Sequence, residues 1–165
     1  MANKRKFENP TQEYLRSRYD YDESGFFINK RTKKIVKGSL LTSGYRVIAY
    51  RHKYPAQLYH RMIWLWHNGY LPEEIDHKDT IKSNNQIENL RECTVEQNKA
   101  NRHGNKNRKY GLSFKGVDLH KGKKFRARLI HHGVYIHLGI FDTEEAAGNA
   151  YVEAAKKLSG EFARG

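Results

Sequence analysis

A chain of 165 residues with 38% apolar content can hold one ordinary domain or two small ones, which excludes a large core built around a small-molecule cavity. Its 31 Lys and Arg against 18 Asp and Glu give a formal charge of +13, which calls for a polyanionic partner, nucleic acid first. Cys93 is the single cysteine, so a disulfide framework and a thiolate zinc site are excluded, and no apolar run reaches bilayer-spanning length. The expectation is a soluble protein of a reducing, cytoplasmic compartment.

In chain order, residues 1–25 form a polar, tyrosine-containing lead with a short helix around Thr11–Arg18. From Gly25 the pattern turns to short strands, at 26–28, 34–37 and 45–50, where Tyr45, Val47 and Ala49 alternate with Arg46, Ile48 and Tyr50. These predict a small antiparallel meander. Residues 56–68 carry Leu58, Met62, Ile63, Leu65 and Trp66 at helical spacing, stopped by Gly69 with Pro72 beyond. Strands follow at 75–77 and 90–93, separated by a polar loop. Thr94 and Gln97 then fit a capping box that starts a helix bearing Asn98.

Residues 103–110 have no aliphatic side chain, are rich in basic residues and Asn, and read as a linker. Beyond them come strands at 116–119, 125–130 and 135–138. A last helix begins at the N-cap Thr143, with Glu144 and Glu145 in its first turn and Ala146, Ala147, Ala150, Tyr151, Ala154, Ala155 and Leu158 on its buried stripe. Charge divides along the same lines. Residues 1–69 carry +9, residues 70–102 carry −2 and residues 103–165 carry +6. Basic flanks around a net-acidic centre suit a molecule that holds phosphates at its ends and a cation in the middle.

The centre, IDHKDTIKSNNQIENLRECTVEQNKANR, gathers Asp76, His77, Asn89 and Asn98. Cleaving a phosphodiester requires a general base for water, and an imidazole near neutrality suits that role. It also requires a hard divalent cation, which prefers carboxylate and amide oxygens. An isolated Asp-His pair is ordinarily a turn feature, Asn84 and Asn85 read as turn residues, and Asn89 or Asn98 alone could be a cap or a solvated side chain. Their order and separation together favour chemistry. This stretch resembles the HNH endonuclease motif in the variant whose last position is Asn. The resemblance implies Asp76 and Asn98 as metal ligands, His77 as general base and Asn89 as the residue that orients it. One divalent ion, Mg2+ or Mn2+, is implied with them. The preceding YHRMIW, with His60 and Arg61, resembles the helix that leads into this motif in phage homing endonucleases, and His60 is expected in a structural or phosphate-contacting role.

The segment from Tyr110 to Ala163 resembles the Apetala-two/ethylene-response-factor DNA-binding domain, through Lys115-Gly116-Val117, the strand Phe125–Leu129, Leu138-Gly139, Phe141-Asp142-Thr143 and Glu145-Ala146-Ala147 leading to Tyr151. That family lays a three-stranded sheet in the major groove, which implies DNA contacts from Lys115, Arg126, Arg128, Tyr135 and His137. Independently, Arg126 and Arg128 lie on one face of a strand, with Phe125, Ala127 and Leu129 on the other. Lys115 stands where the family usually has Arg, so base specificity does not transfer.

The reading is an α+β protein. Residues 1–55 form an N-terminal strand-rich region, 56–102 a ββα-metal HNH core, 103–110 a linker, and 111–165 a three-stranded antiparallel sheet packed on one helix. The resemblance implies a phage or mobile-element enzyme that hydrolyses double-stranded DNA as a monomer or weak dimer, with neither a membrane nor a small-molecule substrate. The rival is a DNA-binding regulator with an inactive nuclease core.

Overall fold

A computed structural model describes residues 9–50, 53–101 and 112–163, so the proposed linker at 103–110 lies outside the described residues. The chain divides into two compact units, Met1–Glu92 and Cys93–Gly165, each with its own apolar core. Both mix helices with small antiparallel sheets, an α+β composition. Among the described residues no helix is long and apolar enough to cross a membrane.

In the first unit, α1 (Gln12–Arg18) starts at Thr11, whose hydroxyl accepts the Tyr14 N–H at 3.1 Å. The strands then form two separate sheets instead of one meander. β1 (Tyr19–Asp22), β2 (Phe26–Asn29) and β3 (Ile35–Val36) make the first, in that order. β4 (Ser39–Leu40), β5 (Arg46–Ile48) and β6 (Gln57–Leu58) make the second. Strands of two residues carry no readable period-2 pattern, which is why β4 and β6 are absent from the sequence reading.

α2 (Tyr59–Asn68) is the central pillar. Tyr59, Met62, Ile63 and Leu65 are buried along it, and its last residue hands over to Gly69 in the left-handed conformation at φ 82°. Gln12 and Arg16 of α1 each donate to the Trp66 carbonyl at 3.0 Å, satisfying an orphan acceptor at the end of α2. Tyr59 ties the pillar to the first sheet: its hydroxyl accepts the Phe27 N–H at 2.8 Å and donates to the Val36 carbonyl. Leu15, Tyr19, Phe27 and Ile48 share one core with α2, Ile75 and Leu90, so residues on both sides of position 56 bury the same surface. β7 (Glu74–His77) pairs with β8 (Leu90–Cys93) after a polar loop and a 3-10 turn at Ile87–Asn89.

The second unit begins with α3 (Val95–Asn101). Thr94 N–H donates to the Gln97 side-chain oxygen at 2.8 Å and Gln97 N–H to the Thr94 hydroxyl at 3.2 Å, the reciprocal capping box expected from the sequence. β9 (Val117–His120), β10 (Lys124–His131) and β11 (Val134–Phe141) form an antiparallel sheet in the order β11-β10-β9, with a bulge between Ala127 and Arg128. α4 (Glu144–Ser159) packs on it through Ala147, Tyr151 and Ala155. Gly148 of α4 lets the Phe114 ring lie on the helix backbone, where a Cβ would stand 2.4 Å from it.

Candidate functional site

β7 buries Ile75, Asp76 and His77 in succession. Adjacent strand residues point to opposite faces, so a buried acid and a buried imidazole each need a polar partner of their own. Asp76, 5% exposed, takes Arg91 of β8: the guanidinium Nε and Nη2 reach carboxylate Oδ2 at 2.9 and 2.8 Å. Arg91 carries no hint of this in the sequence, since a basic residue on a short strand ordinarily faces water.

His77, 4% exposed, has its Nε2 at 3.4 Å from the Asn85 side-chain oxygen. The His60 ring stands edge-on to it at 5.0 Å between centroids, and Tyr45 packs against both imidazoles. Burial lowers the pKa of His77, outweighing the Asn85 hydrogen bond and the charges of Asp79 and Asp76, which raise it. The ring is therefore neutral at physiological pH. The Asn85 side-chain oxygen opposite Nε2 suits the tautomer that carries its proton there.

His60 is pushed down to about 3, first by burial and then by His77 and Arg61. Its Nδ1 is buried without a hydrogen-bond partner among the described residues. His60 is thus an uncharged imidazole, 4% exposed, packed against His77 and Tyr45.

Asn89 sits elsewhere in the network. Its side chain donates to Asp79 Oδ1 at 3.0 Å and to the Asn84 carbonyl at 2.9 Å, and accepts the Asp79 N–H at 3.1 Å. Its carbonyl accepts the Lys78 N–H at 2.8 Å. Asn84 Nδ2 reaches the other Asp79 oxygen at 2.7 Å. Burial works against the Asp79 charge, yet hydrogen bonds from Asn84, Ile81 and Asn89 outweigh it and hold this carboxyl below the usual range. Asn89 thus staples the loop that follows His77, while Asn85 is the amide against the ring.

Asn85 is only 1% exposed, and its position is set from far away in sequence. Tyr21 OH accepts the Ile87 N–H at 3.0 Å, and Gln86 Nε2 donates to the Glu23 carbonyl at 3.1 Å. Gly25, at φ 84°, lies so close that a Cβ would stand 2.6 Å from Gln86 N and 2.7 Å from Asn85 C. The β1–β2 turn is a buttress for the residue that meets His77.

Asn98 belongs to the second unit, half-buried on α3, where its N–H donates to the Thr94 carbonyl at 3.0 Å. Among the described residues no three His, Cys, Asp or Glu side chains converge as a metal cluster. A single carboxylate such as Asp76 fits a hard divalent ion that keeps most of its waters, and does not fit a closed four-ligand zinc site.

On the second unit's sheet, Arg126, Arg128, Tyr135 and His137 share the face turned away from α4. Asp118, unremarked in the sequence, engages both arginines: Arg126 Nε and Nη2 at 2.9 Å on one oxygen, Arg128 Nε at 2.9 Å on the other. The Arg128 guanidinium also stands 5.9 Å from the Tyr135 ring centre. Lys115 precedes β9, and its ammonium donates to the Lys99 carbonyl on α3 at 3.2 Å. It lines a groove of about 590 Å³ with Lys99, Arg128, His131 and Tyr135.

Comparison with known proteins finds no matching solved structure. A protein of Acanthamoeba polyphaga mimivirus, named as an uncharacterized HNH endonuclease, is 35% identical over 107 residues, which are 63% of this chain and 54% of that protein. The chain thus spans about half the length of the relative it matches. Residues 57–100, from β6 through α3 and including Asp76, His77, Asn89 and Asn98, match the family model described as HNH endonuclease.

Proposed function

We propose that this chain is a divalent-metal-dependent DNA endonuclease of the HNH type, with His77 as its general base. The observation that carries the reading is the state of His77: buried, neutral, oriented at one nitrogen by Asn85, and next in sequence to the Asp76 carboxylate. The family match over residues 57–100 supports it.

In this reading His77 Nδ1 takes a proton from water as the water oxygen forms a bond to phosphorus. The bond to the leaving deoxyribose oxygen breaks, that oxygen is protonated from solvent, and the products are a phosphomonoester and a free hydroxyl. A positioned base of this kind contributes roughly 10²–10⁴-fold. By resemblance Asp76 and Asn98 would hold one Mg2+ or Mn2+, which would supply charge stabilisation to the phosphate and the leaving oxygen. Arg91 fixes the Asp76 carboxylate, and Asn89 keeps the loop after His77 closed. The second unit, by its resemblance to the Apetala-two domain, places the enzyme on double-stranded DNA through Arg126, Arg128, Tyr135 and His137, with Lys115 at its border.

Supercoiled plasmid incubated with the purified chain, with and without magnesium, tests the reading. Relaxed or linear product that requires the metal supports it. Binding without any product supports the rival, a DNA-binding regulator with an inactive core.

A further inference from the structure

The β2–β3 connection reads Asn29-Lys30-Arg31-Thr32-Lys33-Lys34, four cations with no acid among them, all exposed. It is a built turn. The Asn29 side-chain oxygen accepts the N–H groups of Arg31 and Thr32 at 3.0 Å each, and Lys33 N–H donates to the Asn29 carbonyl at 2.8 Å. Asn29 N–H closes the hairpin on the Lys34 carbonyl at 2.9 Å, and Lys30 N–H anchors it to the Arg18 carbonyl at 2.9 Å. Between the turn and the end of α1 lies a recess of about 490 Å³ lined by Ser17, Arg18, Asn29, Lys30 and Arg31. Lys30 pairs with Asp20 at 3.4 Å, but among the described residues Arg31, Lys33 and Lys34 have no carboxylate partner.

We infer that this hairpin and its recess form a phosphate-backbone contact for duplex DNA on the first unit itself. The inference rests on the nuclease reading and deepens it. The comparison with the second unit's sheet decides the weight. There Arg126 and Arg128 share one carboxylate, Asp118, whereas Arg31, Lys33 and Lys34 of the hairpin have no carboxylate partner among the described residues. Releasing counterions to solvent is the main source of sequence-independent affinity for DNA, and it is read directly as the slope of affinity against salt. A rigid turn also loses little entropy on docking. The unit that bears His77 thus holds its own substrate, and the sheet of the second unit adds placement.

The test uses the full chain with Arg31→Gln, Lys33→Gln and Lys34→Gln together. A control of Lys156→Gln with Lys157→Gln changes two exposed lysines in the last turn of α4. Binding to a duplex of random sequence is followed by fluorescence anisotropy in EDTA across salt concentrations, with thermal melting to confirm that both variants fold. The triple variant should shorten the slope of log K against log salt by up to about 2.7, at about 0.9 per lost phosphate contact. The control should leave the slope near wild type. An equal change per charge removed in both variants, or no change in the triple variant, overturns the inference while leaving the nuclease reading standing. Tighter binding to duplex RNA than to duplex DNA overturns it also. A wild-type chain with no affinity for duplex DNA sinks both.

Discussion

Asn85 and Asn89 exchange the parts that their sequence context suggests. In a polar loop an Asn-Asn pair reads as turn, because asparagine tolerates left-handed backbone, and Asn85 was expected there. Asn89, at the motif's middle position, was expected against His77. The structure puts Asn85 on the ring and makes Asn89 the staple of residues 79–84. Which amide faces inward is decided by Tyr21, Glu23 and Gly25, more than fifty residues upstream, and local pattern has no access to that. The hidden Arg91–Asp76 pair escapes for the same reason. Substituting Asn85→Leu keeps the volume and removes the acceptor. In ring 15N spectra of the metal-free chain, wild type should show His77 protonated at Nε2, Asn85→Leu should lose that preference, and Asn85→Asp should keep it. Cleavage by Asn85→Leu should fall roughly 10–100-fold, the usual cost of an orienting partner, with duplex affinity unchanged. An identical tautomer in Asn85→Leu would remove Asn85 from this role.

Elements were legible where capping chemistry or a long stripe marks them. Thr94 with Gln97, Thr143 with its acidic first turn, and Gly69 after α2 each fix a helix end that the structure reproduces. The strands of the second unit, four to eight residues long, were legible as well. The two-residue strands β4 and β6 were not, although β3 was, and β1 was missed because Tyr19–Asp22 alternates aromatic with acidic side chains in a segment read as a polar lead. That strand matters, since its turn carries Gly25. Gly25→Ala should cost about 1–2 kcal/mol for the left-handed backbone and a further 1–3 kcal/mol for the overlap with Asn85 and Gln86. Gly44→Ala, at φ 88° with only ordinary contact to Lys82, should show the backbone cost alone. Urea midpoints of the two variants check this, and equal losses would mean that the buttress is not tight.

At the scale of the whole chain, composition leaves open one ordinary domain or two small ones and calls for a polyanionic partner, and the chain divides into two units with separate apolar clusters. The expected boundary within the first sixty residues has no counterpart in packing, because α1, β1 and β2 supply the core on which α2 lies. Periodicity identifies elements but is silent on which of them share a core. The inferred hairpin contact would distribute grip differently from the plain division of nuclease first and binder second, since Arg31, Lys33 and Lys34 give the first unit exposed cations of its own while Arg126 and Arg128 share Asp118. The central claim remains that one buried, neutral imidazole activates water. Its most direct measurement is the rate of plasmid nicking by His77→Ala beside wild type at equal magnesium, with duplex affinity determined on the same preparations. A fall of at least about 100-fold in rate with affinity unchanged is the predicted result, and nicking by the variant at the wild-type rate would contradict it.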